Sequence, residues 1–302
     1  MKTFKKSFIK KKPLGKASSK AQSAMEYLMT YGWAILIIAV VLAALFQLGV
    51  FNPMTFAPKA PPGSCQVFRP DGPGTTSFIN LEGICSGELP QYVAQFNGQL
   101  GQYIAYSGNL NIPNGNPITI AAWINYKGNT GNWEGIAGIN WGCPFEQLTV
   151  LTNQLYLDDC ANNGGNFGSF TVPKNQWVFV AYTLNGTILT LYENGASQTF
   201  TTSGTYQITP TALDIGTDGV SFNRPSFNGS IANVQIYNTS LSANEIQALY
   251  LEGIGGAPIN LQHLVAWWPL NGNANDYSGN GNNGQISNVN FVGNWYNGYT
   301  PP

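Results

Sequence analysis

A run of 19 residues without a charged side chain, Gly32–Val50, constrains the architecture of this chain more than any other feature. About 20 apolar residues are needed to cross the hydrocarbon core of a bilayer. The run exceeds the roughly 7–15 apolar residues of a cleaved secretory signal. Pro53 follows it and is expected to end the helix. The sequence therefore predicts a transmembrane helix over 22–52, and a buried core helix is the alternative.

Lysines cluster directly before this run. Residues 1–20 contain eight Lys and no acidic residue, so the rest of the chain carries 13 − 8 = 5 basic and 14 acidic side chains. The positive-inside rule then predicts a single-pass cell-membrane protein with a cytoplasmic N-terminus and an extracellular C-terminal domain. An acidic domain of this kind lacks the basic patch that nucleic-acid binding requires, which argues against a nucleic-acid partner.

The junction between the lysines and the apolar run reads KAQSAMEYL at 20–28. It resembles the class III signal of archaeal type IV pilins and archaellins, from which a prepilin peptidase removes a basic leader while the apolar helix is kept. The resemblance implies a leader over 1–21 and cleavage between Ala21 and Gln22. It also implies that Glu26 pairs with the α-amine of a neighbouring pilin-like subunit, which would offset two charges that are costly in lipid. An uncleaved signal anchor, with Glu26 in the headgroup region, is the alternative.

A proline-rich segment, 53–64, follows the helix and predicts a stiff, extended linker. All four cysteines lie beyond the membrane segment, and an even number of Cys in an extracellular domain predicts two disulfides. Three pairings are open, and we prefer the two local ones on sequence proximity alone. Three sequons would be glycosylation sites outside the cell. The preferred pairs are Cys65–Cys85 and Cys143–Cys160, and the sequons begin at Asn185, Asn228 and Asn238.

From about residue 90 the pattern changes to short strands separated by Gly/Asn turns. One helical stretch, Ser242–Leu251, begins with a serine and has Glu245 three residues on, which is the spacing of a capping box. Many strands with a single short helix predict a mainly β fold, an antiparallel two-sheet β-sandwich. The clearest strands are Tyr92–Phe96, Ile118–Ile124, Trp177–Tyr182, Ile188–Tyr192 and Ile231–Tyr237.

These segments resemble the laminin-G-like, concanavalin A-like jelly roll over about 90–253. The most specific piece is FNGSIANVQIYNTSLSANEIQALY at 227–250, which in that family forms a strand, a turn and a short helix. The resemblance implies an extracellular LamG-like jelly-roll domain over 65–302 with its core at 90–253. Most members of the family bind carbohydrate or protein, and some hydrolyse glycans or bind calcium.

The segment 264–291 resembles the opening of such a jelly roll, although it lies at the end of this chain. We predict that Val265–Leu270 is a strand of the same sandwich, as in a circularly permuted domain; a vestigial duplication is the alternative. Trp267 and Trp268 would face opposite ways, one in the core and the other partly exposed. The Asn/Gly loop that follows offers oxygen ligands, so we consider calcium binding at Asp276, against the alternative of a solvated turn.

Motifs for catalysis are missing from the sequence. It contains no GxSxG or HExxH, and we interpret Asp158-Asp159 as a solvated turn, so we expect no enzyme activity. Two functional hypotheses stay open. The first is a pilin-like filament subunit whose lectin-like domain adheres to a glycan or a surface protein. The second is a monomeric, membrane-anchored protein that binds or cleaves glycans outside any filament. The pilin-like junction favours the first.

Overall fold

The computed structural model describes residues 18–47, 89–112, 117–128, 130–139, 146–159, 165–202, 210–219 and 224–302. The chain divides into two compact units, 1–57 and 58–302. In the first unit, helix α1 spans Ser18–Gln47 and contains Ala21, Gln22 and Glu26. The processing and assembly roles of these three residues stay predictions. The linker 53–64 and all four cysteines lie outside the described residues, so the disulfide pairing also stays a prediction.

The side chains described for α1, at 29 and 31–44, are exposed. Across the described part of the chain, no helix meets the length and apolarity that a membrane crossing requires, so the span predicted over 22–52 is not found there.

In the described residues of the second unit, most of the regular secondary structure is β-strand. Besides the strands it contains helix α2, Ala243–Glu252, and a short 3-10 helix, Leu261–His263. The strands found in the described residues are β1 Val93–Asn97, β2 Tyr103–Ser107, β3 Ile118–Tyr126, β4 Glu134–Ile139, β5 Glu146–Leu151, β6 Gln154–Asp159, β7 Gly165–Thr171, β8 Trp177–Asn185, β9 Ile188–Glu193, β10 Ala196–Thr201, β11 Ala212–Ile215, β12 Asn228–Tyr237, β13 Leu264–Trp268, β14 Gln285–Ser287 and β15 Asn290–Val292.

The strands form two antiparallel sheets, which confirms the predicted mainly β two-sheet sandwich. Within the described ranges, one sheet has eight strands in the order β10-β9-β8-β3-β12-β1-β15, with β13 also paired to β12. The other has seven strands in the order β14-β2-β11-β4-β5-β6-β7. The five strands expected from the sequence all lie in the eight-stranded sheet.

The eight-stranded sheet is covered on both faces. Ile120 and Ile124 of β3 point into the core between the two sheets, whereas Trp123 points the other way into a second apolar cluster. That second cluster includes Ile246 and Leu249 of α2. Burial of both faces explains why the sequence of β3 is almost continuously apolar instead of alternating.

Helix α2 begins where the capping-box spacing predicts, and the turn between β9 and β10 has the geometry of a hairpin turn. Ser242 caps α2: its hydroxyl accepts a hydrogen bond from the Glu245 backbone N–H, and the Glu245 carboxylate accepts one from the Ser242 N–H. The turn between β9 and β10 places Asn194 at φ 48° and Gly195 at φ 83°. Positive φ at both central residues is the geometry of the two-residue turns that match the twist of a hairpin.

The predicted C-terminal strand is present as β13. It pairs with the second half of β12, from Val234 to Tyr237, while β1 pairs with the first half, from Asn228 to Ile231. Trp267 and Trp268 face opposite ways as expected, but the expectation that one is partly exposed is wrong. Trp268 is buried in the core between the sheets, and Trp267 is 3% exposed in the second cluster.

Candidate functional site

The outer face of the seven-stranded sheet carries a row of residues in register. Side chains alternate between the faces of a strand, and Leu213, Leu148 and Leu157 point into the core, so the residues next to them point outward. The register joins neighbouring strands in the order Ala105, Asp214, Gly138, Gln147 and Asp158. Three of these five residues are polar, in contrast to the apolar cluster on the outer face of the eight-stranded sheet.

Two aromatic side chains lie next to this row. Tyr156 pairs with Thr149 across β5 and β6, and its ring lies over Gly168. A Cβ at Gly168 would be 2.1 Å from Cε1 of Tyr156, so only glycine leaves room for the ring. The ring of Trp133 meets that of Tyr156 edge-on, with centroids 5.5 Å apart and planes at 78°. Both rings are half-buried and keep some surface accessible to a ligand.

The middle of this face contains buried polar atoms without a partner. Gln147 is 1% exposed and Thr149 is fully buried. The Nε2 of Gln147 donates to the carbonyl of Thr217 at 2.8 Å, but Oε1 of Gln147 and Oγ1 of Thr149 have no hydrogen-bond partner. Both atoms are covered by the protein, so the surface that a ligand can reach on this face is that of the half-buried side chains. We define the outer-face site as Trp133, Tyr156 and Asp158, with Gln147 and Thr149 buried next to them in the register.

The two carboxylates of this register row are farther apart than the pair that a glycosidase uses. Asp158 on β6 and Asp214 on β11 are three strands apart, about 14 Å at about 4.8 Å per strand. The two carboxyl groups of a glycosidase are about 5–9.5 Å apart. Asp158 lies in a strand, so the interpretation of Asp158-Asp159 as a solvated turn is wrong.

A buried acidic residue holds the loop before β4. Glu134 accepts hydrogen bonds from the backbone N–H of Thr130 at 2.6 Å and of Asn228 at 3.0 Å. Burial raises the pKa of Glu134. Asp218 is also buried; burial raises its pKa, and its ion pair with Arg224 opposes that shift. These groups stabilise loops and do not belong to the outer-face site.

The three sequons differ in their surroundings. Asn185 is exposed where β8 turns into β9. The Nδ2 of Asn228 donates to the carbonyl of Gly128 at 3.0 Å, so its amide is part of the fold. The Oδ1 of Asn238 lies 3.0 Å from Nδ1 of His263. Glycosylation at these sites stays a prediction.

Asp276 is a structural hydrogen-bond acceptor. Its Oδ1 accepts from the N–H groups of Trp267 and Ser278, and its Oδ2 accepts from the Asn282 N–H and the Ser278 hydroxyl. In the parts of the chain that are described, no group of three or more His, Cys, Asp or Glu could hold a metal ion. Calcium binding at Asp276 stays a prediction.

The loop after β13 also supplies side-chain amides to the free edge of that strand. Nδ2 of Asn280 and Nδ2 of Asn282 donate to the carbonyl of Val265 at 2.8 and 2.9 Å. Together with Asp276, which accepts from the Trp267 N–H, these side chains satisfy the backbone groups that another strand would otherwise pair with. The sequence analysis did not predict that these asparagines would cover the edge of β13, although the loop is rich in Asn and Gly.

A family model described as the concanavalin A-like lectin/glucanases superfamily, Laminin_G_3, matches residues 97–247. This match covers half of the chain. The chain belongs to this superfamily. The match confirms the expected LamG-like domain over 97–247, from the end of β1 into α2, while the predicted bounds 65–302 and 90–253 stay predictions. No curated protein matches the chain.

Several solved structures resemble this chain at low sequence identity. A candidate carbohydrate-binding protein from Bacteroides ovatus has a TM-score of 0.54 at 16% identity, over 68% of this chain and 61% of that one. A heptameric SAP-like pentraxin from Limulus polyphemus has a TM-score of 0.45 at 16% identity, over 56% and 85%. Domain 4 of the arabinanase AbnA from Geobacillus stearothermophilus has a TM-score of 0.44 at 14% identity, over 61% and 86%. The chain thus spans about three fifths of the Bacteroides protein, and the first likeness indicates the fold alone.

Proposed function

We propose that this protein binds glycans and that the outer-face site is where the sugar lies. The observation that carries the proposal is the pair of half-buried aromatic rings, Trp133 and Tyr156, which meet edge-on on this face and keep accessible surface. Sugar sites combine apolar ring faces with a few precisely placed hydrogen-bonding groups. The superfamily and the carbohydrate binding suggested for the Bacteroides ovatus protein support the same class of ligand.

The arrangement suits binding better than hydrolysis. Trp133 and Tyr156 offer ring faces for the C–H groups of a pyranose. Asp158 and Asp214 of the register row are about 14 Å apart, wider than the roughly 5–9.5 Å between the two carboxyl groups of a glycosidase.

A polysaccharide panel tests this proposal. The full chain, solubilised in detergent, is tested against neutral polymers (β-glucan, mannan, galactan, arabinan), acidic polymers (polygalacturonate, alginate, heparin) and chitosan. We expect binding to at least one of them, and at least about a tenfold loss in W133A and in Y156A, because buried aromatic contacts dominate binding energy. Y296A is the matched control, since Tyr296 is 50% exposed in the C-terminal segment, far from the seven-stranded sheet in sequence. Binding that survives in W133A and Y156A would place the ligand elsewhere.

We further propose that the N-terminal segment displays the glycan-binding domain at the cell surface in a pilin-like manner. This proposal rests on the sequence: the eight Lys of residues 1–20, the uncharged run Gly32–Val50 and the KAQSAMEYL junction. Its partners would be a prepilin peptidase, the membrane and other pilin-like subunits. Mass spectrometry of the native N-terminus tests it. We expect Gln22 as the first residue, and a protein that retains Lys2–Lys20 would contradict the pilin-like route.

A further inference from the structure

We propose that the outer-face site binds a single glycan chain in solution and does not bind the flat surface of a crystalline polymer. This inference rests on the proposed function, because it specifies the physical form of the ligand at the same site. It follows from the angle between the two accessible rings and from the contacts that fix each ring.

The ring of Tyr156 lies flat on the last strand of the seven-stranded sheet. Tyr156 of β6 pairs with Gly168 of β7, which ends the strand order of that sheet in the described ranges. A Cβ built on Gly168 would be nearest to Cε1 of the ring and 2.6 Å from both Cδ1 and Cζ, so it would meet the face of the ring and not its rim. The Tyr156 hydroxyl donates to Oε1 of Gln154 at 2.7 Å. One face of the ring is therefore packed on the sheet, and the ring is held at both ends.

Trp133 approaches from the opposite side of Tyr156. It precedes β4, which lies two strands away from β6 on the side that faces away from β7. The two ring planes meet at 78°, so the indole is nearly perpendicular to the ring that lies on the sheet. The next residue, Glu134, is buried and accepts hydrogen bonds from the backbone N–H groups of Thr130 and Asn228, which anchors the chain beside the indole. We call the two rings the aromatic corner.

A flat surface cannot use the aromatic corner. It could stack on both rings only if their planes were parallel, and at 78° it reaches one ring and leaves the other. Turning the Tyr156 ring would break its contacts with Gly168 and Gln154. A single chain has C–H groups on the faces and at the sides of its sugars, so one sugar can stack on one ring and contact the second from the side. Because both rings are already fixed, they lose little freedom when the chain binds.

Short oligosaccharides distinguish a chain from a surface, because they keep the chemistry of the polymer but form no crystal face. Oligosaccharides of about three to six sugars, cut from the polymer that the panel identifies, are titrated into the full chain in detergent. We expect them to bind within about tenfold of the polymer itself, since the aromatic corner contacts only a few sugars. Microcrystalline cellulose and crystalline chitin supply flat surfaces in a pull-down, and we expect them to retain no more of the wild type than of Y156A.

The substitution G168A tests the position of the Tyr156 ring without touching the ligand. Gly168 has no positive φ, so alanine strains no backbone there, and its Cβ would push the ring off the sheet. We expect oligosaccharide binding to weaken several-fold in G168A, with Tm measured alongside to establish that the protein is folded. The double variant Y156A/G168A should bind no more weakly than Y156A, because both substitutions act on the same ring. Y296A remains the control.

Three results would overturn this inference and leave glycan binding standing. The first is a polymer that binds while its oligosaccharides do not. The second is binding to crystalline cellulose or chitin that Y156A abolishes. The third is a Y156A/G168A protein that binds more weakly than Y156A, because Gly168 would then act by a route other than the ring. A chain that binds no polymer of any class would overturn the proposed function and this inference together.

Discussion

The substitution D276A removes the acceptor that joins β13 to the loop after it. Three donors lose this acceptor, the backbone N–H groups of Trp267, Ser278 and Asn282, whereas the Ser278 hydroxyl can still donate to the carbonyl of Val265. The hydrogen bonds to Trp267 and Asn282 are buried, so water cannot replace the carboxylate there. Each unsatisfied buried donor costs about 1–3 kcal/mol, which gives a loss of about 4 kcal/mol in the free energy of unfolding.

Thermal unfolding of the full chain measures this loss. For a domain of this size 1 kcal/mol corresponds to about 2–4 °C, so we expect Tm to fall by about 8–16 °C in D276A. D276N keeps one acceptor oxygen and should lose about half as much. Asn275 is exposed in the same loop, and N275A should change the free energy of unfolding by less than about 0.5 kcal/mol.

Two results would refute this reasoning. A D276A protein with the Tm of the wild type would mean that the carboxylate does not hold the loop. A wild-type Tm that falls on addition of a chelator, together with a D276A protein that no longer responds to the chelator, would assign Asp276 to calcium instead.

Three further predictions concern other parts of the domain. Burial raises the pKa of Glu193 to about 7, so the stabilising contribution of this residue is complete below about pH 4.5 and is lost as the pH rises through about 7. Urea unfolding should therefore show a smaller loss of stability between about pH 5 and 8 in E193Q than in the wild type. An equal loss in both proteins would contradict a raised pKa for Glu193. W295A should lower the free energy of unfolding by about 3–5 kcal/mol, because Trp295 is buried edge-on against Trp177. A loss below about 1 kcal/mol in urea unfolding would show that the C-terminal segment is dispensable for stability. Glycopeptide mapping of protein exported by a glycosylating host should find sugar on Asn185 and not on Asn228, whose amide is used in the fold; occupied Asn228 would contradict this view.

The parts of the fold that could be predicted are those whose signals are local. The apolar run of β3 and the Ser242–Glu245 capping box each predicted an element that the structure contains. The burial of Trp267 was missed, because its cover comes from distant residues: the indole N–H donates to Oδ1 of Asn233 at 2.7 Å, and the ring meets Tyr277. A single strand does not indicate what packs on it.

The outer-face site was not predictable for a related reason. The sequence of β5, EQLTVL, alternates polar and apolar residues in the ordinary way and carries no motif. Only the register with β6 places Gln147 and Thr149 beside Asp158 and Tyr156. Asp158-Asp159 was interpreted as a turn because adjacent acidic residues are common in turns, whereas here the pair ends a strand.

The pairing of β1 with β15 has a consequence for the order of folding. Val93 of β1 is opposite Val292 of β15, a separation of 292 − 93 = 199 residues. This edge of the eight-stranded sheet therefore cannot form until residue 292 has been synthesised, and contacts of such long range slow folding. We expect β1 of an emerging chain to stay without its β15 partner until then, so that the synthesis of β15 decides when this edge of the domain stops being a target for chaperones and proteases.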